Sequence, residues 1–283
     1  MLLGRSAISA FCRAVVSLLV ALPAAAQSRA FAAITIRPDR SGGSRGMRMQ
    51  VLPTGDLMAN AVPVLALLSF AYDVPVNPSP RLSGLPVWTV RERYDIEAKA
   101  SANTVPPGLA GSEVRGQAQQ MIRGLLAGRF HLVMRIEQKM MSVYALSIAG
   151  GGPKLQKAAV TEKGCIFDTD PEGCHNFIAG FGHPLRAKAI DMRDLANYIA
   201  NWTDLPVVNR TALSGLFAVN TEGWAPMRLP PPPPNATPPN ATAQFAGLPT
   251  IFTVLGKLGL ELKRQEDTLP VYTVEHIERP AAQ

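Results

Sequence analysis

The sequence predicts an α+β fold made by tandem duplication of a small unit with two helices, antiparallel strands and a terminal hairpin. Three observations carry this. In one block, Leu57, Ala59, Ala61, Leu67 and Phe70 align with Leu185, Ala187, Ala189, Leu195 and Tyr198. In a second block, Phe130, Leu132, Met134, Val143, Tyr144 and Leu146 align with Leu258, Leu260, Leu262, Val271, Tyr272 and Val274 at the same offset of 128 residues. Self-similarity at a fixed period is the mark of a repeated structural unit. Third, segments that alternate every second residue, as half-buried strands do, interleave with segments spaced i, i+3, i+4, i+7, as helices are.

The elements follow in order. Residues 32–38 alternate apolar and polar side chains and predict a first strand, and residues 47–51 predict a second after a glycine-rich turn at Gly42-Gly43. Pro63 opens a helix, because its missing N–H would be unpaired in the first turn anyway. Val64, Leu67, Leu68 and Ala71 form that helix's apolar face, and the proline cluster at 75–80 stops it. Arg93 to Ala98 reads as a strand burying Tyr94 and Ile96. A second helix spans about 113–127, followed by strands 130–136 and 143–147, which a turn near Gln138 would join as a hairpin. Gly150-Gly151-Gly152-Pro153 ends the unit. In the second copy Asp191 is the expected helix N-cap, with Asp194 near the third helical position. Phe217 and Val219 mark the strand equivalent to Tyr94 and Ile96, and a proline-rich loop at 226–249 is an extended insertion.

Residues 1–26 read as a secretory signal. Arg5 and Arg13 supply a positive start, 14–22 an apolar run, and Ala24-Ala25-Ala26 a small-residue cleavage site. The repeats then occupy 27–155 and 156–283. The apolar run is well short of the ~20 residues a membrane span needs, so no span is expected after cleavage. The expected location is periplasmic or secreted. Without Arg5 and Arg13 the formal charge falls from +7 to +5, scattered along the chain without a basic block, which argues against nucleic acid as a partner. Two cysteines remain, Cys165 and Cys174. In an exported protein an even pair reads as a disulfide closing a short loop. The rival is a metal site that adds His175 and His183, but the paired C-x2-C spacing of structural zinc is missing.

Catalytic signatures are absent. There is no G-x-S-x-G, H-E-x-x-H, P-loop or dinucleotide-binding glycine motif in the required context. Ser83 and Ser214 sit in Leu-Ser-Gly, a turn composition. His131 and His276 alternate with apolar neighbours and are expected to face solvent. Asp95 and Glu97 share one strand face, as the paired carboxylates of a glycosidase would, but Arg91 and Arg93 share the alternation. No catalytic residue, cofactor or metal is assigned. Arg81, Trp88, Arg91 and Trp202 lie on connections, and planar aromatic and guanidinium groups there suit recognition.

Several segments occur in a familiar order: Phe31 to Pro38, Arg93 to Ala98, Leu125 to Leu132, Val143 to Leu146 with Gly151 to Leu155, Pro206 to Thr211 with Leu213-Ser214-Gly215, and Val271 to Pro280. In these the chain resembles an exported soil-bacterial family known as a domain of unknown function. Some members of that family carry the domain fused to a membrane metallopeptidase of the antibiotic-sensor type. The resemblance implies an extracytoplasmic binding or sensing role and supplies no catalytic residue. The expected function is a non-catalytic binding module whose partner is an envelope protein, peptide or polymer. The alternative is a carboxylate-dependent hydrolase acting on an envelope polymer. A fold-level analogy to the paired helix–strand modules of secretins and outer-membrane receptors is a further reading.

Overall fold

Two long strands organise the molecule. They are β6 (Val133–Ile148) and β11 (Leu260–His276), antiparallel and paired along nearly their whole length. Before β6 come β1 (Phe31–Pro38), β2 (Arg48–Val51), β3 (Leu57–Pro63), α1 (Val64–Tyr72), β4 (Leu82–Ser83), α2 (Trp88–Arg91), β5 (Arg93–Ala100) and α3 (Gly111–Arg129). Between β6 and β11 lie β7 (Gln156–Lys157), a 3-10 turn at Glu162–Gly164, β8 (Arg186–Ile190), α4 (Met192–Ile199), β9 (Val207–Asn209), β10 (Phe217–Asn220) and α5 (Ile251–Lys257). This computed structural model describes residues 30–41, 46–77, 79–102, 104–106, 108–165, 172–180, 182–229 and 244–281. The signal-peptide reading and most of the proline tract fall outside the described residues.

The α+β class is as expected. The strands form three sheets, ordered β1-β5-β3-β2, β7-β10-β8 and β4-β11-β6-β9. The order β7-β10-β8 matches β1-β5-β3, and the succession strand, helix, short strand, strand, helix, long strand occurs in both halves. Local chemistry explains the boundaries. Pro63 sits one residue earlier than expected, as the extended cap before α1 (ψ 154°). Asp191 Oδ1 accepts the Asp194 N–H at 2.7 Å, and Asp194 Oδ2 accepts the Asp191 N–H at 3.2 Å, closing a reciprocal cap on α4. Gly84 and Gly215 of the two Leu-Ser-Gly turns have φ of 78° and 83°, which suit glycine.

The terminal hairpin is corrected. Residues 133–148 are one continuous strand, and its partner is β11. The reason lies in Gln138-Lys139-Met140-Met141-Ser142. That stretch holds no glycine, proline, asparagine or aspartate to supply the positive φ of a tight turn, so the strand runs on. His131 is corrected too. It sits in the turn between α3 and β6 at φ 51°, exposed, rather than inside a strand.

Each long strand serves two hydrophobic cores. The first core gathers Ile36, Leu57, Leu67, Ile96, Leu125 and Phe130 with Val274 and Ile277 from the end of the chain. The second gathers Leu185, Leu195, Ile199, Phe217 and Leu255 with Leu146 from the first half. The short strands are exchanged as well. β4 pairs in parallel with β11 (Leu82 opposite Tyr272), and β9 with β6 (Val207 opposite Tyr144). At the centre of the ribbon Met140 lies opposite Thr268, the residue 128 positions further along.

Candidate functional site

A cleft of about 340 Å³ opens between α1 and α4. Both helices are apolar on the faces turned to their own cores, which leaves α1's Phe70 and α4's Asn197 on the cleft. Met49, Val76, Phe177 and Tyr198 extend its apolar wall, and Asn201 and Asp73 add polar groups. Burial pushes the Tyr198 phenol up to about 12 against its hydrogen bonds, so it stays neutral, and its hydroxyl donates to the Gly180 carbonyl at 3.1 Å.

The floor of the cleft is ionic. Asp194, in the first turn of α4, has 2 % of its side chain exposed and is salt-bridged to Arg115 of α3. Its other oxygen lies 2.6 Å from His175 Nδ1. On the opposite ring edge His175 Nε2 is 3.4 Å from Glu162 Oε2. Burial opposes charge on both Asp194 and His175, yet their mutual contact, with Arg115 beside Asp194 and with Asp191 and Glu162 near His175, outweighs it. The Asp194 carboxyl stays below the usual carboxylate range and the His175 imidazole above its ordinary value. Burial together with the neighbouring Asp194 charge pushes Asp191 up. Asp73, which ends α1 at φ 49°, ties the halves together. Its carboxylate pairs with Arg193 and lies 3.4 Å from both Arg115 Nη2 and Asn197 Nδ2. The Arg115 guanidinium also lies 5.7 Å from the Phe70 ring centre. Its Nε is buried and has no acceptor among the described residues.

With both ring nitrogens facing carboxylates and a side chain 1 % exposed, His175 is not placed to serve as a base for a substrate. Cys165 and Cys174 form a disulfide, with Cα atoms 5.4 Å apart. His183, the fourth member of the rival metal set, is exposed. The ligand-bearing atoms that converge instead belong to Glu162, Cys165 and His175, and to His175, Asp191 and Asp194.

The four residues singled out in the sequence do not form one patch. Arg81 is partly buried, and its guanidinium donates to the carbonyls of Pro270 (3.1 Å) and Asp73 (3.3 Å). Trp88 packs on the first core beneath Arg279, whose guanidinium lies 5.2 Å from the ring centre. Arg91 is exposed and lines a second recess of about 570 Å³ with Arg93, Tyr94 and Arg279. Trp202 packs on the second core, 6.1 Å from Tyr198. Of the paired carboxylates, Asp95 accepts the Ala61 N–H at 2.9 Å, where β3 departs from regular register and Ala61 takes φ 51°. Asp95 therefore supports the backbone of β3.

Sequence reasoning missed Arg115, Asp73 and the pairing of His175 with Asp194. Asp194 was visible only as a capping residue, and the groups that meet it come from positions 79 and 19 residues away.

A family profile described as a protein of unknown function (DUF3738) matches residues 65–277. The chain belongs to this DUF3738 family. No curated protein and no solved structure matches it. The matched span of the DUF3738 domain includes α1, α4, the cleft floor and both long strands.

Proposed function

We propose that this DUF3738 chain is an exported binding module built from two copies of one unit, 27–155 and 156–283, and that its ligand enters the cleft between α1 and α4. The observation that carries the reading is an apolar-walled cleft lined by Arg115, whose Nε–H is buried and has no acceptor among the described residues. A buried donor left unsatisfied costs about 1–3 kcal/mol, and a ligand carbonyl or carboxylate oxygen that draws the Arg115 guanidinium toward the cleft would remove that cost. The volume is at the low end of the roughly 300–1,000 Å³ of small-molecule sites. It suits one side chain and flanking amide of a short peptide rather than a polymer. The disulfide favours an oxidising compartment. Among the described residues no helix is long and apolar enough to cross a membrane. Trp88 and Arg91, beside the second recess, are a further contact surface in this reading, while Arg81 and Trp202 hold the scaffold.

The test is native mass spectrometry of the protein against a pool of short peptides. Wild type should retain a subset that Val76→Trp, which fills the cleft mouth from an exposed position, does not. Equal retention by both proteins would sink the cleft reading. Hydrolysis of an envelope polymer that disappears in Asp95→Asn while the melting temperature is unchanged would establish the carboxylate hydrolase instead.

A further inference from the structure

We propose that the Cys165–Cys174 pair is one state of a redox-controlled zinc site, which on reduction is completed by His175 and Glu162. The two sulfurs, an imidazole and a carboxylate are the donors that tetrahedral zinc takes. Three of the four are already gathered: Cys165 Sγ, a His175 ring nitrogen and a Glu162 oxygen lie within 4.8 Å of one another, and Cys174 is bonded to Cys165. Two ligands about 2.05 Å from a tetrahedral zinc stand roughly 3.3 Å apart, and His175 Nε2 and Glu162 Oε2 are 3.4 Å apart.

The surrounding contacts orient each ligand. Asp194 accepts a hydrogen bond from His175 Nδ1–H at 2.6 Å, which turns Nε2 toward Cys165 and Glu162. A metal-bound histidine ordinarily carries such a carboxylate on its second nitrogen. The Ser112 N–H, in the first turn of α3, holds Glu162 Oε2 at 3.1 Å. Gly111 keeps the gap open, since a Cβ there would stand 2.8 Å from Cys165 Sγ and 3.1 Å from His175 Nε2. The cysteines are buried and Glu162 is partly exposed, so a metal ion enters past the carboxylate.

The chemistry balances with a phosphine reductant. The S–S bond breaks, the phosphine leaves as its oxide with oxygen from water, and each sulfur retains one proton. Zinc then binds as both thiols and Nε2 release their protons to solvent, while Asp194 keeps its hydrogen bond to Nδ1.

The experiment uses the full mature chain, oxidised or reduced with a phosphine, loaded with zinc or cobalt(II) and passed through a desalting column. The reduced protein should carry one metal per chain and show thiolate-to-cobalt charge-transfer absorption. Zinc should raise the melting temperature of the reduced form and leave that of the oxidised form unchanged. Glu162→Gln, at a partly exposed position, should weaken zinc binding by roughly tenfold or more, in line with the loss of one ligand, whereas His183→Ala should not. Failure of the reduced chain to retain metal, whether folded or unfolded, overturns the proposal. So does metal retention that persists in Cys165→Ser or is equal in the oxidised protein.

Discussion

Asp194 carries a charge that the protein interior would reject if it stood alone. Arg115 and His175 hold it ionised, and the two come from helix α3 and from the segment after the disulfide. Removing one partner of a buried ion pair leaves the other uncompensated, at about 3–5 kcal/mol. Arg115→Ala should therefore lower unfolding free energy by that amount in urea titrations. A loss below about 1 kcal/mol would show that His175 alone suffices. Asp56 gives a pH-dependent counterpart. Burial raises its pKa, but the Lys99 ammonium at 2.9 Å and the Ala100 N–H at 2.8 Å outweigh that and hold it below the usual carboxylate value. A carboxyl depressed in the folded state contributes stability above its unfolded pKa of about 3.9 and loses it as pH falls through the folded value. Wild type should thus exceed Asp56→Asn in stability at pH 6–7, and the gap should close as pH drops below about 4. A gap that stays constant across that range would contradict the assignment.

At the level of elements, β6 is the revealing case. Its ends were legible because Met134 and Ile136, then Val143 and Ala145, recur at every second position. Its continuity was not, because the exposed middle carries no apolar pattern, and an exposed polar strand resembles a loop in sequence. What keeps that middle extended is pairing with a partner 128 residues away, a tertiary cause that local propensity does not record. The helices were easier, since each has a core-facing stripe: Leu67 and Leu68 in α1, Ile122 and Leu126 in α3. The same element yields a prediction that a two-module reading would not make. Leu146 belongs to the first half by sequence but is fully buried in the second core. Leu146→Ala should cost about 2–5 kcal/mol, and hydrogen exchange should accelerate most around α4 and β10. Acceleration confined to β1, β3 and β5 would mean that the strand does not bridge the cores.

For the molecule as a whole, the exchange of β4 and β9 between halves means that neither half closes its own sheet. Residues 27–155 and 156–283 made separately should each lack a cooperative thermal transition, and mixing them should restore one. Independent cooperative melting of either fragment would show that the halves are autonomous domains. The candidate site shares this dependence. Its cleft has one wall from each half, and its ionic floor joins Asp73 and Arg115 to Arg193 and Asp194. No window of sequence contains that arrangement, which explains why the α+β class was legible and the site between the two halves was not.

The first core has an implication for how the chain comes into being. It is founded by Ile36 and Leu57 and completed by Val274 and Ile277, so its opening and closing residues are separated by nearly the whole polypeptide. A chain delivered amino end first has no finished core to settle into until its last strand arrives. Most of that core lies within residues 36–132, and Val274 and Ile277 close it last. Pairings this distant carry a large loop-closure cost and place folding toward the slow, milliseconds-to-seconds end of the range.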